Sequence, residues 1–526
     1  MNSSNCEETT LDSRLGRLLR CVSLFRFGAS ARSWNAASAI ILFTARVLAS
    51  MAQLKYVERY FGGSFSGLAV VSNQVLLYVT LLELGLAQAT ISFLYEPILR
   101  RDDAKTSALL AAVRSDVRRL ILIGSLVVFP VLAIYARFLG NQVPYTTIVA
   151  TLWLVALGAF IQLAAVHFQA YLNAAERLGW VNLILGLGYL VKTAIGLTLA
   201  LHFRDYLWLP ASICFLTTAE FMAMKLVFSR LFPHFHATEW QWAANTIRRR
   251  ARFALIHKVA GVAYYQSDFI ILSLTVGLMV VRDYAKFQYI AAGLLSAVGT
   301  IAIALTSSFA YTQMRRRPEA RFRQYVRLQF GASVVGAIAC AGYIYVAPDI
   351  VRWAFGGAET IGLGTLSLFG LALFLNIVKI ADDMTITARG AFRVGYGIPI
   401  VEVPVYIVLG VVLTRRLGFP GILIASVATN LLITVVVKGA LLAREVFDAS
   451  RAQWYARRAA NALCALLLVV PLVALHWIAS LAFASDAACT AFWCVAVLVY
   501  GAAILRLLLV RPALSLPFVS SLEPEP

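Results

Sequence analysis

The chain has 526 residues, of which 60% are hydrophobic and only 14% charged, and its mean hydropathy is +0.78. A soluble domain carries about 25% charged residues, so this composition excludes an ordinary soluble globular protein. The net charge is +20, but membrane proteins collect Lys and Arg in their cytoplasmic loops. We therefore predict no nucleic-acid partner. The seven cysteines form no CxxC pair and lie at no metal-ligand spacing, so no disulfide framework, metal site or other cofactor is predicted.

Apolar stretches of about 20 residues recur along the chain, and each is long enough to cross the hydrocarbon core of a bilayer. They predict an all-α polytopic membrane protein with fourteen spans. The predicted spans are 34–54, 64–91, 120–140, 147–172, 181–201, 207–229, 253–276, 284–312, 328–347, 361–381, 395–413, 419–442, 459–483 and 488–510.

The Lys and Arg residues predict the orientation of these spans. With the N-terminus placed in the cytoplasm, 33 of the 46 basic residues fall in inside segments and only nine in outside segments. This positive-inside bias predicts that both termini lie in the cytoplasm. No cleavable signal peptide is predicted, and the expected location is the inner membrane. Residues 1–33 are predicted to form a cytoplasmic segment, either with an amphipathic helix on the membrane surface or as a disordered basic tail.

An internal repeat predicts how the spans are grouped. The second and eighth spans both begin with an aromatic and small residues, end in Ser/Thr-Phe and precede a basic stretch, at 100–120 and 315–328. An offset of six spans keeps both copies in one orientation, which predicts two parallel six-helix lobes related by a pseudo-twofold axis along the membrane normal. The predicted segments are an N-lobe (34–230), a basic linker (231–252), a C-lobe (253–445), two further spans (446–511) and a cytoplasmic tail (512–526).

Four stretches give the chain a resemblance to a known family. They are LLELGLAQATISFL (81–94), NAAERLGWVN (173–182), the hairpin sequence from 264 to 294 that contains Asp268, and the basic stretch after the eighth span. In this order and spacing, the chain resembles the O-antigen-type polysaccharide flippases of the multidrug/oligosaccharidyl-lipid/polysaccharide (MOP) superfamily. The likeness extends over about residues 34–445.

The resemblance implies a two-lobed transporter that moves an undecaprenyl-diphosphate-linked oligosaccharide across the inner membrane for surface polysaccharide biosynthesis. Its expected partners are this lipid-linked oligosaccharide, membrane lipids, an H⁺ or Na⁺ coupling ion and the polysaccharide assembly machinery. A cation-coupled multidrug antiporter is the first alternative, although mid-membrane Arg and Lys disfavour an organic cation. A glycan polymerase or membrane glycosyltransferase is the second, although the predicted outside loops are short. Because phosphate-loop and hydrolase motifs are absent, no enzyme activity is predicted.

Three cations inside predicted spans are candidates for binding an anionic substrate. Arg46 lies midway along the first span, Lys192 midway along the fifth and Lys258 near the start of the seventh. Ionisable groups at membrane depth usually face a cavity and mark function. A guanidinium stays charged and presents paired donors to phosphate oxygens, so Arg46 is the leading candidate for contact with a diphosphate. Each of the three is alternatively a structural partner of an acidic neighbour.

Four acidic residues inside spans are candidates for ion coupling or for charge pairing: Glu83, Glu220, Asp268 and Glu402. Glu402 lies between Pro399 and Pro404, whose missing backbone donors predict a bent helix and a cation or sugar-hydroxyl site, or a structural kink alone.

Further ionisable residues have less specific interpretations. Lys379, with Asp382 and Asp383, is expected to snorkel to the cytoplasmic interface. For His167, helix packing is preferred to a proton relay.

Overall fold

A computed structural model describes most of the chain. The described residues are 31–80, 86–139, 142–175, 177–233, 267–315, 318–355, 361–389, 392–447 and 450–482, with the isolated residues 235, 244, 247, 492, 495, 496 and 499. Most of the N-terminal segment 1–33, of the linker 231–252 and of the fourteenth predicted span lies outside the described residues, as does the whole tail 512–526.

Every regular element in the described part of the chain is a helix. In the first half these are α1 (Ala31–Phe61), α2 (Gly63–Thr80), α3 (Leu86–Arg100), α4 (Asp103–Ala136), α5 (Tyr145–Ala164), α6 (Val166–Ala174), α7 (Leu178–Phe203) and α8 (Trp208–Leu231). In the second half, a helical segment at 267–275 precedes α9 (Leu278–Arg315), α10 (Pro318–Phe355), α11 (Leu363–Arg389), α12 (Phe392–Leu417), α13 (Phe419–Val446) and α14 (Arg451–Ala482).

Eight of these helices are long and apolar enough to cross a membrane: α1, α4, α5, α7, α8, α10, α11 and α13. Their number and apolar length make the chain an integral membrane protein. The fourteen-span, two-lobe arrangement stays a prediction. The predicted span 147–172 is not a single helix, since α5 and α6 meet at Ala165.

Short turns join several of the helices. Gly62 between α1 and α2 and Gly418 between α12 and α13 have positive φ angles of 96° and 65°, a conformation that glycine adopts without steric strain. Asp102 caps α4 by accepting a hydrogen bond from the Lys105 backbone N–H at 2.9 Å. Helix α13 contains two π-helical stretches, Asn430–Lys438 and Leu442–Val446, which change the directions of its polar side chains.

The two halves of the chain meet along α1, α2 and α9. Helix α9 packs against both α1 and α2 of the first half, and also against α10 and α11 of the second half. Within the first half, α1 packs along α7, and α2 packs on α5. Gly67 of α2 lies directly against the backbone of Leu278, the first residue of α9. This close approach brings the first turns of α2 and α9 together at one end of the interface.

The contact between Gly67 and Leu278 leads to a prediction about stability. A methyl group at Gly67 would overlap the Leu278 carbonyl group, whereas one at Gly331 of α10 would meet no atom within 4 Å. We expect Gly67→Ala to destabilise the purified protein by about 1–3 kcal/mol through overpacking. Thermal unfolding in detergent measures this change. Gly331→Ala, the matched control, should leave the melting temperature unchanged or raise it, and equal melting temperatures for the two variants would contradict the packing.

Candidate functional site

A cavity of about 500 Å³ lies between the two halves of the chain. Its walls come from α1, α2, α5, α7 and α8 on one side and from the 267–275 segment, α9, α11, α12 and α13 on the other. Most of its polar wall residues are neutral: Ser50, Gln53, Asn73, Gln74, Gln162, Tyr189, Thr193, Tyr284, Gln288, Tyr289, Ser296, Asn376, Tyr406 and Ser426. The charged residues among the described walls are Arg46, Lys192 and Asp268. The cavity therefore offers many hydrogen-bonding groups and few charges.

Arg46 is exposed to this cavity from α1. Its guanidinium carbon lies 5.3 Å from the centre of the Tyr189 ring on α7, a distance at which a cation is attracted to an aromatic face. Within the described part of the chain, no carboxylate lies at ion-pair distance from this guanidinium. Arg46 is thus a cation whose hydrogen-bond donors are available to an anion in the cavity.

Lys192 lines the same cavity, but its charge is compensated. Its Nζ lies 2.9 Å from the carboxylate of Glu220 on α8, and both side chains are 8% exposed. The same Nζ lies 5.0 Å from the centre of the Tyr189 ring, so both cavity cations contact one aromatic side chain. Gly188 leaves room for the Glu220 carboxylate beside α7. The sequence leaves ion coupling and charge pairing open for Glu220. The contact with Lys192 is a charge pair.

Asp268 contributes a carboxylate from the other half of the chain. The side chain is buried, with 8% exposure, and its two oxygens accept hydrogen bonds from the hydroxyls of Tyr284 and Tyr406. Aromatic rings pack against Tyr284, which stacks on Phe369 at a centroid distance of 5.4 Å and contacts Phe419 edge-on. No cation among the described residues lies at ion-pair distance from Asp268. This carboxylate is held by neutral donors.

Glu402 and Lys379 form a buried ion pair away from the cavity walls. Lys379 Nζ on α11 lies 2.9 Å from Glu402 Oε1 on α12, and Thr434 of the first π-helical stretch donates to the same oxygen at 3.2 Å. The expectation that Lys379 snorkels to the interface is therefore wrong, because its ammonium finds a carboxylate inside the bundle. Glu402 is already occupied by protein donors, and α12 continues through Pro399 and Pro404 as a single helix.

Two further acidic candidates, Asp382 and Asp383, form ion pairs within the chain. Asp382 is fully buried, with Arg458 of α14 at 3.0 Å and the Tyr325 hydroxyl at 2.7 Å, and Asp383 pairs with Lys438.

His167 is also buried, and its ring packs beside Phe168 and Phe228. This position fits the helix-packing interpretation. Glu83 and Lys258 lie outside the described residues, so their predicted roles stay predictions.

An ion cluster joins the two halves of the chain at one end of their interface. Glu58 of α1 places one carboxylate oxygen 3.1 Å from Arg282 Nη1 and 2.9 Å from Lys286 Nζ, both on α9. Asp283 also contacts Arg282 at 2.6 Å. Glu58 lies about 18 Å along α1 from Arg46, given the rise per residue of an α-helix. The cluster is next to the Gly67–Leu278 contact and lies at the end of the helices that the charge bias assigns to the outside.

Sequence reasoning missed several residues of this site. Tyr189 lies three positions before Lys192, so helical spacing alone places both on one face of α7. Lys286 is not among the candidate residues chosen from sequence, yet its side chain is 2% exposed and contacts Glu58. The amide side chains of the walls carry no charge. Because the candidates are chosen from sequence as ionisable residues inside spans, these amides are not selected.

Comparison with known proteins places the fold. No family model and no curated protein matches the chain. Among solved structures, the lipid II flippase MurJ in an inward closed conformation gives a TM-score of 0.64 at 13% identity, covering 90% of this chain and 100% of that chain. An inward-facing MATE multidrug-resistance transporter of the MOP superfamily gives 0.61 at 15% identity, covering 80% and 98%. A MATE structure in a bent conformation gives 0.57 at 14% identity, covering 82% and 98%. The chain therefore shares the fold of these flippase and MATE transporter structures.

The Lys192–Glu220 pair leads to a prediction about stability. Glu220→Gln leaves a buried ammonium without its counter-charge and should destabilise the protein by about 3–5 kcal/mol. The double variant Lys192→Met with Glu220→Leu removes both charges and should recover most of that loss. Thermal unfolding of the three variants in detergent measures the effect. If the double variant is less stable than Glu220→Gln, the two side chains do not form the compensating pair.

Proposed function

We propose that the protein translocates an undecaprenyl-diphosphate-linked oligosaccharide across the inner membrane by alternating access of the cavity to the two sides. The observation that carries this proposal is the cavity-exposed Arg46 guanidinium, which has no carboxylate partner in the described part of the chain. A diphosphate supplies the missing negative charge, and paired N–H donors of a guanidinium fit phosphate oxygens. The fold shared with a lipid II flippase is consistent with such a substrate.

The other cavity charges favour an anion at Arg46. Glu220 compensates Lys192, and Asp268 is buried with both oxygens engaged by tyrosine hydroxyls, so the exposed charge in the chamber is the guanidinium. The neutral amides and hydroxyls on the walls suit sugar groups, which both donate and accept hydrogen bonds. We assign the diphosphate to Arg46, with Tyr189 and Lys192 beside it, and the sugars to the amide-lined space. The prenyl chain stays in the lipid.

The ion cluster between the two halves supports a transport cycle. In this structure, Glu58, Arg282 and Lys286 join the two halves on the side predicted to be periplasmic. Opening to that side requires separation of these charges, and the substrate can shift the equilibrium only through different affinities for the two states. We assign Asp268 as the candidate for H⁺ or Na⁺ coupling, because it is a buried carboxylate on the cavity wall.

A second candidate function is cation-coupled multidrug antiport. Asp268 favours it, because a cavity carboxylate without a basic partner among the described residues is suited to a cationic drug. MATE multidrug transporters also share the fold. The exposed Arg46 opposes it, since a guanidinium repels an organic cation in the same chamber. Drug accumulation in knockout cells separates the two functions.

Substitution of Arg46 tests the proposed function. Arg46→Gln keeps a polar side chain but removes the charge and the paired donors, so purified protein should bind undecaprenyl diphosphate about 10- to 100-fold more weakly. Arg46→Lys should recover part of the affinity. Arg352→Gln is the control, because Arg352 is an exposed arginine paired with Asp349 on α10. Unchanged affinity in Arg46→Gln would contradict the proposed anion site.

Substitution of Glu58 tests whether this ion cluster keeps the cavity closed to the outside. Glu58→Gln removes the charge that joins Arg282 and Lys286 to α1, so the outward-open population should rise about 5- to 30-fold, as for a loss of one or two kcal/mol. The readout is the rate at which a membrane-impermeant thiol reagent, added outside spheroplasts, labels a cysteine placed at Ala292 on the cavity wall in a cysteine-free chain.

The matched control for this experiment is Glu96→Gln, which breaks an exposed pair with Arg100 on α3. Its labelling rate should equal that of the parent chain. Equal rates in the Glu58 variant and the parent would show that the ion cluster does not keep the cavity closed.

A further inference from the structure

Two buried carbonyl oxygens on opposite walls of the cavity have no hydrogen-bond partner among the described residues. One is Oε1 of Gln74, on α2 of the first half, and the other is Oδ1 of Asn376, on α11 of the second half. Gln74 is only 4% exposed, and it lines the cavity. Both acceptors thus belong to residues that line the chamber, and the described residues do not satisfy them.

Such acceptors are informative because buried polar groups in folded proteins are nearly always paired. A carbonyl oxygen left unpaired in a low-dielectric interior is unfavourable, and the loss is recovered when a ligand supplies a donor. A site that needs a donor from its ligand also discriminates strongly against an analogue without that donor. The two amides therefore carry information about the chemistry of the ligand.

A diphosphate cannot satisfy these oxygens, because its ionised oxygens only accept hydrogen bonds. Sugar hydroxyls and acetamido N–H groups do donate, and both occur in the oligosaccharide part of a lipid-linked substrate. Gln53, Asn73 and Gln288 add further amides to the same walls. The amides thus complement the Arg46 guanidinium, which offers donors where the ligand has only acceptors.

We propose that Gln74 and Asn376 are specificity-determining residues that accept hydrogen bonds from the sugar attached to the diphosphate, one from each half of the chain. This assignment rests on the proposed function and deepens it, because it gives the sugar a binding site separate from the anion site. A sugar held by both walls links the two halves across the cavity. The bare lipid diphosphate, held at Arg46 in the first half, does not make this link.

The test compares two probes, undecaprenyl diphosphate and undecaprenyl diphosphate-N-acetylglucosamine, on the purified full chain. Wild-type protein should bind the sugar-bearing probe more tightly. Gln74→Met and Asn376→Leu remove the acceptors with little change in volume, and each should lower this preference about 5- to 20-fold. The affinity for the bare lipid diphosphate should stay unchanged, which also reports that the variants are folded.

Gln169→Met is the matched control, because Gln169 is a partly buried amide on α6 that contacts Met224 and lies outside the cavity walls. Its preference for the sugar-bearing probe should equal that of the wild type. Arg46→Gln should weaken both probes by the same factor and leave the preference intact. That pattern separates the sugar site from the anion site.

Three results would overturn the assignment. The first is an unchanged preference in both amide variants, and the second is a wild-type protein that binds the two probes equally. The third is a bare-lipid affinity that requires Na⁺ in the wild type and loses this dependence in the variants, which would make the amides cation ligands. Failure of the proposed function gives a different pattern, in which neither probe binds or Arg46→Gln changes neither affinity.

Discussion

An arginine charge at membrane depth is stable only where water, a counter-charge or a ligand reaches it, and the functional interpretation of this protein depends on that constraint. The hydrocarbon core offers none of these, so the guanidinium of Arg46 requires a polar chamber beside α1. The structure supplies such a chamber between the two halves of the chain, with the Tyr189 ring against the guanidinium. Because the described residues bring no carboxylate to Arg46, the position is well suited to an anionic ligand.

The other intramembrane charges show how the protein handles the same constraint when no ligand is involved. Lys192 pairs with Glu220, Lys379 with Glu402, and Arg458 with Asp382. Each pair joins two helices and compensates its own charge, so it explains the presence of a charge without a substrate. The buried carboxylate of Asp268 is stabilised differently, because two tyrosine hydroxyls donate hydrogen bonds to it. The contrast between these satisfied groups and Arg46, Gln74 and Asn376 separates scaffold from site.

Hydrophobic length, charge bias and the rarity of charges in apolar helices predict much of this site from sequence. They predict an all-helical membrane protein and pick out Arg46, Lys192 and Asp268, which the structure places around one cavity. Pairing could not be predicted, because Lys192 and Glu220 are 28 positions apart and meet only through the packing of α7 on α8. The break between α5 and α6 at Ala165 was missed, since hydropathy continues through it. Gln74 and Asn376 could not be selected from sequence, because no sequence pattern shows that their carbonyl oxygens are unpaired.

The central claim is that Arg46 holds the diphosphate of a lipid-linked substrate inside the cavity. A cryo-electron microscopy structure of the protein in nanodiscs loaded with undecaprenyl diphosphate tests it most directly. The account predicts phosphate density within hydrogen-bond distance of the Arg46 guanidinium, with the prenyl chain leaving the cavity toward the lipid. Diphosphate density on the outer, lipid-facing surface, with Arg46 engaged by a carboxylate of the chain, would contradict it.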